Sequence, residues 1–106
     1  MAGCQAQIAW QITPGAEITQ FDCRLAAFGA NLALIFDVTI RNVADVPRGY
    51  RINIFLLDQD KAAGYRVPRQ SNPPEVAPGQ SATVQIPFIA ITQMPGELLV
   101  VVKPLD

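Results

Sequence analysis

Apolar and polar side chains alternate along most of this chain. Leu34, Phe36, Val38 and Ile40 take turns with Ile35, Asp37, Thr39 and Arg41. That alternation gives a strand with one apolar face and a second face that is polar except at Ile35. Ile52, Ile54 and Leu56 then share a face opposite Arg51, Asn53, Phe55 and Leu57. β-branched and aromatic residues dominate both runs, as a pleated, half-buried surface favours. Between them, Asn42 to Gly49 carries Asn, Asp, Pro and Gly, which turn the chain. Pro47 has no N–H to give a ladder, so this loop is not strand.

The same pattern recurs on both sides. Ile8, Trp10 and Ile12 form one face of an N-terminal strand that Pro14-Gly15 ends. Over Glu17 to Phe28, Phe21, Cys23 and Leu25 point one way and Asp22 and Arg24 the other. Gly29-Ala30-Asn31 connects this run to Leu32, which predicts an antiparallel β-hairpin. After Asp58, Gln59 to Gly64 reads as a polar hairpin loop, and Tyr65 to Arg69 as a short strand. Pro68 places that strand at a sheet edge. Gln70 to Gly79, with Asn72-Pro73-Pro74 and Pro78-Gly79, favours extended backbone without pairing. Val84, Ile86 and Phe88 alternate with Thr83, Gln85 and Pro87. Ile89 to Met94 reads either as more strand or as an apolar loop. Past Pro95-Gly96, Leu98, Val100 and Val102 alternate with Leu99, Val101 and Lys103. No segment has apolar residues at helical spacing. The expected fold is an all-β, immunoglobulin-like antiparallel β-sandwich of about seven strands. The 106 residues form one domain, with 1–16 as N-terminal strand and turn and 17–104 as the sandwich body.

Composition sharpens this picture at one point. Half of the residues are hydrophobic and only 16% are charged, against about 25% in a typical domain. The surplus falls on the second faces of the strands. Ile35, Phe55, Leu57, Leu99 and Val101 lie opposite the core-facing set, and Ile89, Ile91 and Met94 add to them. Three kinds of cover fit: the N-terminal strand with Trp10, a second copy of the protein, or a ligand in a groove.

A net charge of −1 gives no electrostatic case for nucleic acid or an anionic membrane. No apolar run approaches the roughly 18 residues of a membrane span, so no transmembrane segment is expected. The chain as given shows no secretory signal of charged start and apolar stretch. Ala2-Gly3-Cys4 matches the end of a bacterial lipoprotein cleavage box without the apolar stretch that would complete it. The two cysteines, Cys4 and Cys23, stand open between two readings. They pair across neighbouring strands in an oxidising compartment, or both stay free, with Cys23 in the core and Cys4 on a mobile end.

Histidine is absent, which removes His-based triads, Cys–His dyads and the commonest metal ligand. No glycine-rich phosphate loop follows a strand. Asp58 and Asp60 form a D-x-D, but one such pair supplies too few oxygens for calcium. No cofactor, metal or catalytic residue is expected. Arg48, Arg51, Arg66 and Arg69 cluster in sequence. They either keep an edge strand soluble or, with Trp10, Tyr50 and Tyr65, bind a small molecule or peptide bearing a carboxylate or phosphate.

The order of features resembles the immunoglobulin-like modules of bacteria, in particular the CARDB-type, cell-adhesion-related domains. The likeness rests on Phe36-Asp37-Val38-Thr39-Ile40-Arg41-Asn42, on Ile54-Phe55-Leu56-Leu57-Asp58, on Ala77-Pro78-Gly79-Gln80-Ser81-Ala82-Thr83-Val84, and on Pro95-Gly96 before Leu98 to Val102. It departs from the family at Glu75-Val76-Ala77, where a large apolar residue is usual, and in the long N-terminal extension. The resemblance implies a binding or spacer module, usually outside the cytoplasm, with no catalytic residues. Three function classes follow: a non-catalytic module that binds protein, including its own copies; a small-molecule or peptide binder; and a phage or surface structural component.

Overall fold

The computed structural model describes residues 4–69 and 75–105. It contains seven strands: β1 (Gln7–Ile12), β2 (Ala16–Phe28), β3 (Asn31–Asn42), β4 (Gly49–Leu56), β5 (Lys61–Val67), β6 (Ser81–Ile89) and β7 (Glu97–Leu105). They form two packed sheets, a four-stranded sheet β1-β7-β4-β5 and a three-stranded sheet β2-β3-β6. The fold is an all-β sandwich, and all but one of its strand pairings are antiparallel. The exception is β1, which runs parallel to β7 with Trp10 opposite Val100.

The alternation read from the sequence sets the core. Leu34, Phe36, Val38 and Ile40 of β3 point between the sheets and are buried. Ile52, Ile54 and Leu56 of β4, Ile86 and Phe88 of β6, and Leu98, Val100 and Val102 of β7 meet them from the other strands. Fully burying one such side chain is worth about 1.5–3 kcal/mol. Phe21, Phe36 and Phe88 form an aromatic row through the three-stranded sheet, with ring centroids 5.5 and 5.6 Å apart. The β2–β3 hairpin pairs as the Gly29-Ala30 turn predicts, and Gly29 takes a φ of 65° there.

Two element boundaries differ from expectation. β5 begins at Lys61, so Ala62, Ala63 and Gly64 are strand rather than loop. They pair with Phe55, Ile54 and Asn53, and that pairing overrides weak intrinsic propensity. Val67 is the last residue of β5, and the edge position foreseen from Pro68 holds. Ile89 ends β6, and Ala90 to Gly96 is the connection to β7. Asn72-Pro73-Pro74 lies outside the described residues.

The two cysteines are joined. Cys4 and Cys23 form a disulfide with Cα atoms 5.0 Å apart, within the usual span. The free-thiol reading is thereby corrected, and a bridged Cys4 has no thiol left for a lipid. Ala2 and Gly3 of that box lie outside the described residues. Among the described residues, no helix is long and apolar enough to cross a membrane.

Candidate functional site

The outer face of the four-stranded sheet is built in rows, because residues opposite each other on paired strands point to the same side. Ala9, Leu99, Phe55 and Ala62 are successive cross-strand partners on β1, β7, β4 and β5. They make an apolar row across the whole sheet. The next row is Gln11, Val101, Asn53 and Gly64, and beyond it stand Lys103, Arg51 and Arg66. On the other side of the apolar row come Gln7 and Glu97, then Leu57, whose N–H bonds Glu97 O at 3.1 Å. The β4–β5 turn follows, with Asp60 exposed one residue before the Leu56–Lys61 pair. The face is therefore basic at one end, apolar in the middle and acidic at the other.

This arrangement sorts the residues singled out from the sequence. Phe55, Leu99 and Val101 lie together on the face, Phe55 and Leu99 half-buried and Val101 buried at 9% exposure among its neighbours, and Leu57 sits at its acidic end, 53% exposed. Ile35 does not belong with them. It lies on β3 in the other sheet and is 2% exposed. Its neighbours are Arg24 and Pro87, and Arg24 reaches past it to an ion pair with Asp37. The arginine stem thus covers Ile35 while its charge stays in water. The N-terminal strand does not cover the face either. β1 lies in the plane of the sheet, and Trp10 points to the inner side.

Trp10 meets Phe21 edge to face at 5.2 Å and remains 44% exposed. It lines a cleft of 490 Å³ between β1 and β2 with Ile12, Ala16, Ile18 and Phe21. The other proposed ligand residues do not join it. Tyr50 is fully buried, and its hydroxyl donates to Gly15 O at 2.9 Å. Tyr50 is therefore a core residue that pins the β1–β2 turn rather than a ligand contact. Burial raises its phenol pKa above 10, against a smaller opposing pull from Arg48. Arg48 is tied through its backbone to Val76, by bonds of 3.0 and 2.6 Å. Arg69 stacks on Tyr65, 4.5 Å from the ring centre. Of the four arginines, only Arg51 and Arg66 stand side by side on one face.

Asp58 serves the fold: its carboxylate accepts the Gly96 N–H at 2.9 Å. Among the described residues, no three His, Cys, Asp or Glu side chains gather as a metal site requires. The residue that sequence reasoning missed is Asn42, the only buried polar side chain among those described. It holds the connection between β3 and β4 through two local partners, Ala44 and Val46, and one distant partner, Val76, and its place among turn residues gives no sign that it is buried. Comparison with known protein families, curated proteins and solved structures returns no match for this chain.

Proposed function

We propose that this protein is a non-catalytic interaction module that self-associates through the outer face of its four-stranded sheet. The observation that carries this reading is the apolar row Ala9–Leu99–Phe55–Ala62, in which Ala9 and Ala62 are exposed and Leu99 and Phe55 half-buried. Burial of such a row against a partner removes apolar surface from water. The flanking charges favour a second copy as that partner. A two-fold axis lying in the face and across the strands reverses the row order. Lys103 then meets Glu97 of the other copy. Val101 and Asn53 meet the second copy's Leu99 and Phe55.

The size of the face sets the strength. Four strands by four rows span about 15 Å by 20 Å between outer Cα atoms. With side chains this buries roughly 500–600 Å² per copy, below the roughly 800 Å² of a standard interface. The dimer is accordingly weak and reversible. The resemblance to bacterial cell-adhesion-related modules supports the same class of role, since it implies binding or spacing rather than catalysis.

Sedimentation over a concentration series tests the proposal. A monomer–dimer equilibrium is expected, and Phe55→Lys should shift it to monomer without changing the thermal midpoint by more than a few degrees. A wild-type protein that stays monomeric up to millimolar concentration sinks the reading.

A further inference from the structure

Sheet edges are hazards, and three of the four here are guarded. β2 carries Glu17, Asp22, Arg24 and a bulge between Ile18 and Gln20. β6 carries Pro87, and β5 carries Lys61 and Arg66 and ends before Pro68. Charges, bulges and prolines at these places discourage pairing with another strand. β1 has none of them. Its sequence, Gln-Ile-Ala-Trp-Gln-Ile, has no charge, no proline and no glycine.

The pairing parity of β1 defines what the edge offers. Gln7 N–H bonds Gly96 O at 3.0 Å and Thr13 N–H bonds Val102 O at 2.9 Å. In a parallel ladder, the odd-numbered residues from Gln7 to Thr13 thus turn their backbone groups to β7. Ile8, Trp10 and Ile12 turn theirs to the open side. Three N–H and three C=O groups face outward, and no described strand pairs with them. The side chains of these same residues point inward: Trp10 and Ile12 line the 490 Å³ cleft between β1 and β2, and Ile8 packs against the core.

We propose that β1 and this cleft form a strand-addition site for an extended peptide with apolar side chains at alternate positions. The added strand takes main-chain hydrogen bonds from Ile8, Trp10 and Ile12. Its inward side chains enter the cleft against Phe21, Ala16 and Ile18. Main-chain bonding with pockets for alternate side chains is how exposed edges recruit peptides. A second copy of β1 does not fill the site. Its Trp10 is already seated on its own Phe21, and its Ile8 and Ile12 pack against its own core. A foreign strand brings free side chains. The site is separate from the outer face, which lies on the other side of the same sheet.

The single tryptophan reports the event directly. The probe is the capped heptapeptide Thr-Val-Thr-Leu-Thr-Val-Thr, added to protein dilute enough to sediment as monomer. Trp10 emission should shift to the blue and saturate below about 1 mM peptide, the range of weak but specific binding. Two further peptides carry N-methyl groups, one on the three apolar residues and one on the inner threonines. One of these sets removes the donors that face β1 and should weaken binding at least about tenfold. The other should bind like the parent. No saturable shift with the parent peptide overturns the proposal, as does equal binding by all three. A shift that tracks protein concentration without peptide assigns the edge to a second copy and also overturns it.

Discussion

Arg51 and Arg66 stand directly opposite each other on β4 and β5, like charge against like charge. Lys103 flanks Arg51 from β7. Like charges directly opposite across a ladder destabilise it, so this row is held at a cost that a counter-charge would relieve. In the proposed dimer the acidic end of a second copy supplies one. Lys103→Glu and Glu97→Lys should each weaken the dimer, because each sets like charges against each other across the two-fold axis. Mixing the two variants should restore a heterodimer, since every crossing pair is then complementary. Sedimentation of the single variants and of their mixture checks this. Raising the salt should weaken the wild-type dimer. A mixture that associates no better than its components removes the proposed axis.

Asn42 carries a separate prediction. Its Nδ2 donates to Val46 O and Val76 O, both at 2.8 Å, and its Oδ1 accepts the Ala44 N–H at 2.8 Å. Its own backbone is held too, with Gly79 N–H bonding Asn42 O at 2.8 Å. One amide side chain thus closes the β3–β4 connection and draws Val76 onto it. Asn42→Ala leaves buried groups without partners and should cost about 3 kcal/mol. Asn42→Asp should cost at least as much, because a carboxylate cannot donate to the two carbonyls. Denaturant midpoints at constant slope measure both.

Tyr50 links stability to pH. Its buried hydroxyl bonds Gly15 O, and burial raises its pKa above the unfolded value of 10.0. The folded state therefore favours the protonated phenol. This contribution is fully present below the unfolded pKa and is lost as pH rises through the folded one. Tyr50→Phe removes the bond and should cost about 1 kcal/mol at neutral pH. Above pH 10 the gap between wild type and Tyr50→Phe should shrink. Thermal unfolding of the two proteins at pH 8 and at pH 11 decides it. A gap of constant size shows that the phenol is not desolvated. Gly15 shares this turn with a φ of 92° and Ala44 Cβ 3.2 Å from the place a Cβ would take. Gly15→Ala should therefore destabilise as well.

The parts of this molecule that were legible in its sequence are those set by neighbours in the chain. Alternation placed Phe36, Ile54, Ile86 and Val100 inward, and a turn glycine paired β2 with β3. Contacts between distant segments carried no such mark. Nothing in residues 7–12 announces a parallel pairing with residues 97–102, since period-two alternation reads the same in either direction. Tyr50 looked like a ligand residue because aromatic rings occur in sites and cores alike, and only the position of Gly15 distinguishes them. The apolar surplus of Phe55, Leu99 and Val101 was visible, but their union with Ala9 and Ala62 needed the register. Ile35 shared their apolar character and not their sheet, which a strand-by-strand reading cannot separate.

The disulfide ties together two strands that no ladder joins. Cys4 precedes β1 in one sheet and Cys23 lies in β2 of the other, 19 residues on. Closing a loop of that size restricts the unfolded chain and stabilises by about 3 kcal/mol. Reduction, or Cys4→Ser with Cys23→Ser, should lower the unfolding free energy by that amount. The loss should not be uniform across the fold. β1 is held by β7 alone on its ladder and by Trp10 against Phe21, so it is the strand that relies most on the bridge. After reduction, the Ala9 and Gln11 amides, which face β7, should exchange with solvent much faster than before. The amides of β3, which is paired on both sides, should change only as far as global stability falls. Hydrogen exchange of the oxidised and reduced proteins measures this contrast. Equal acceleration in β1 and β3 would show that the bridge acts on the whole sandwich and not on its first strand. The same bond bears on where the protein works, since such bridges form and persist in oxidising surroundings.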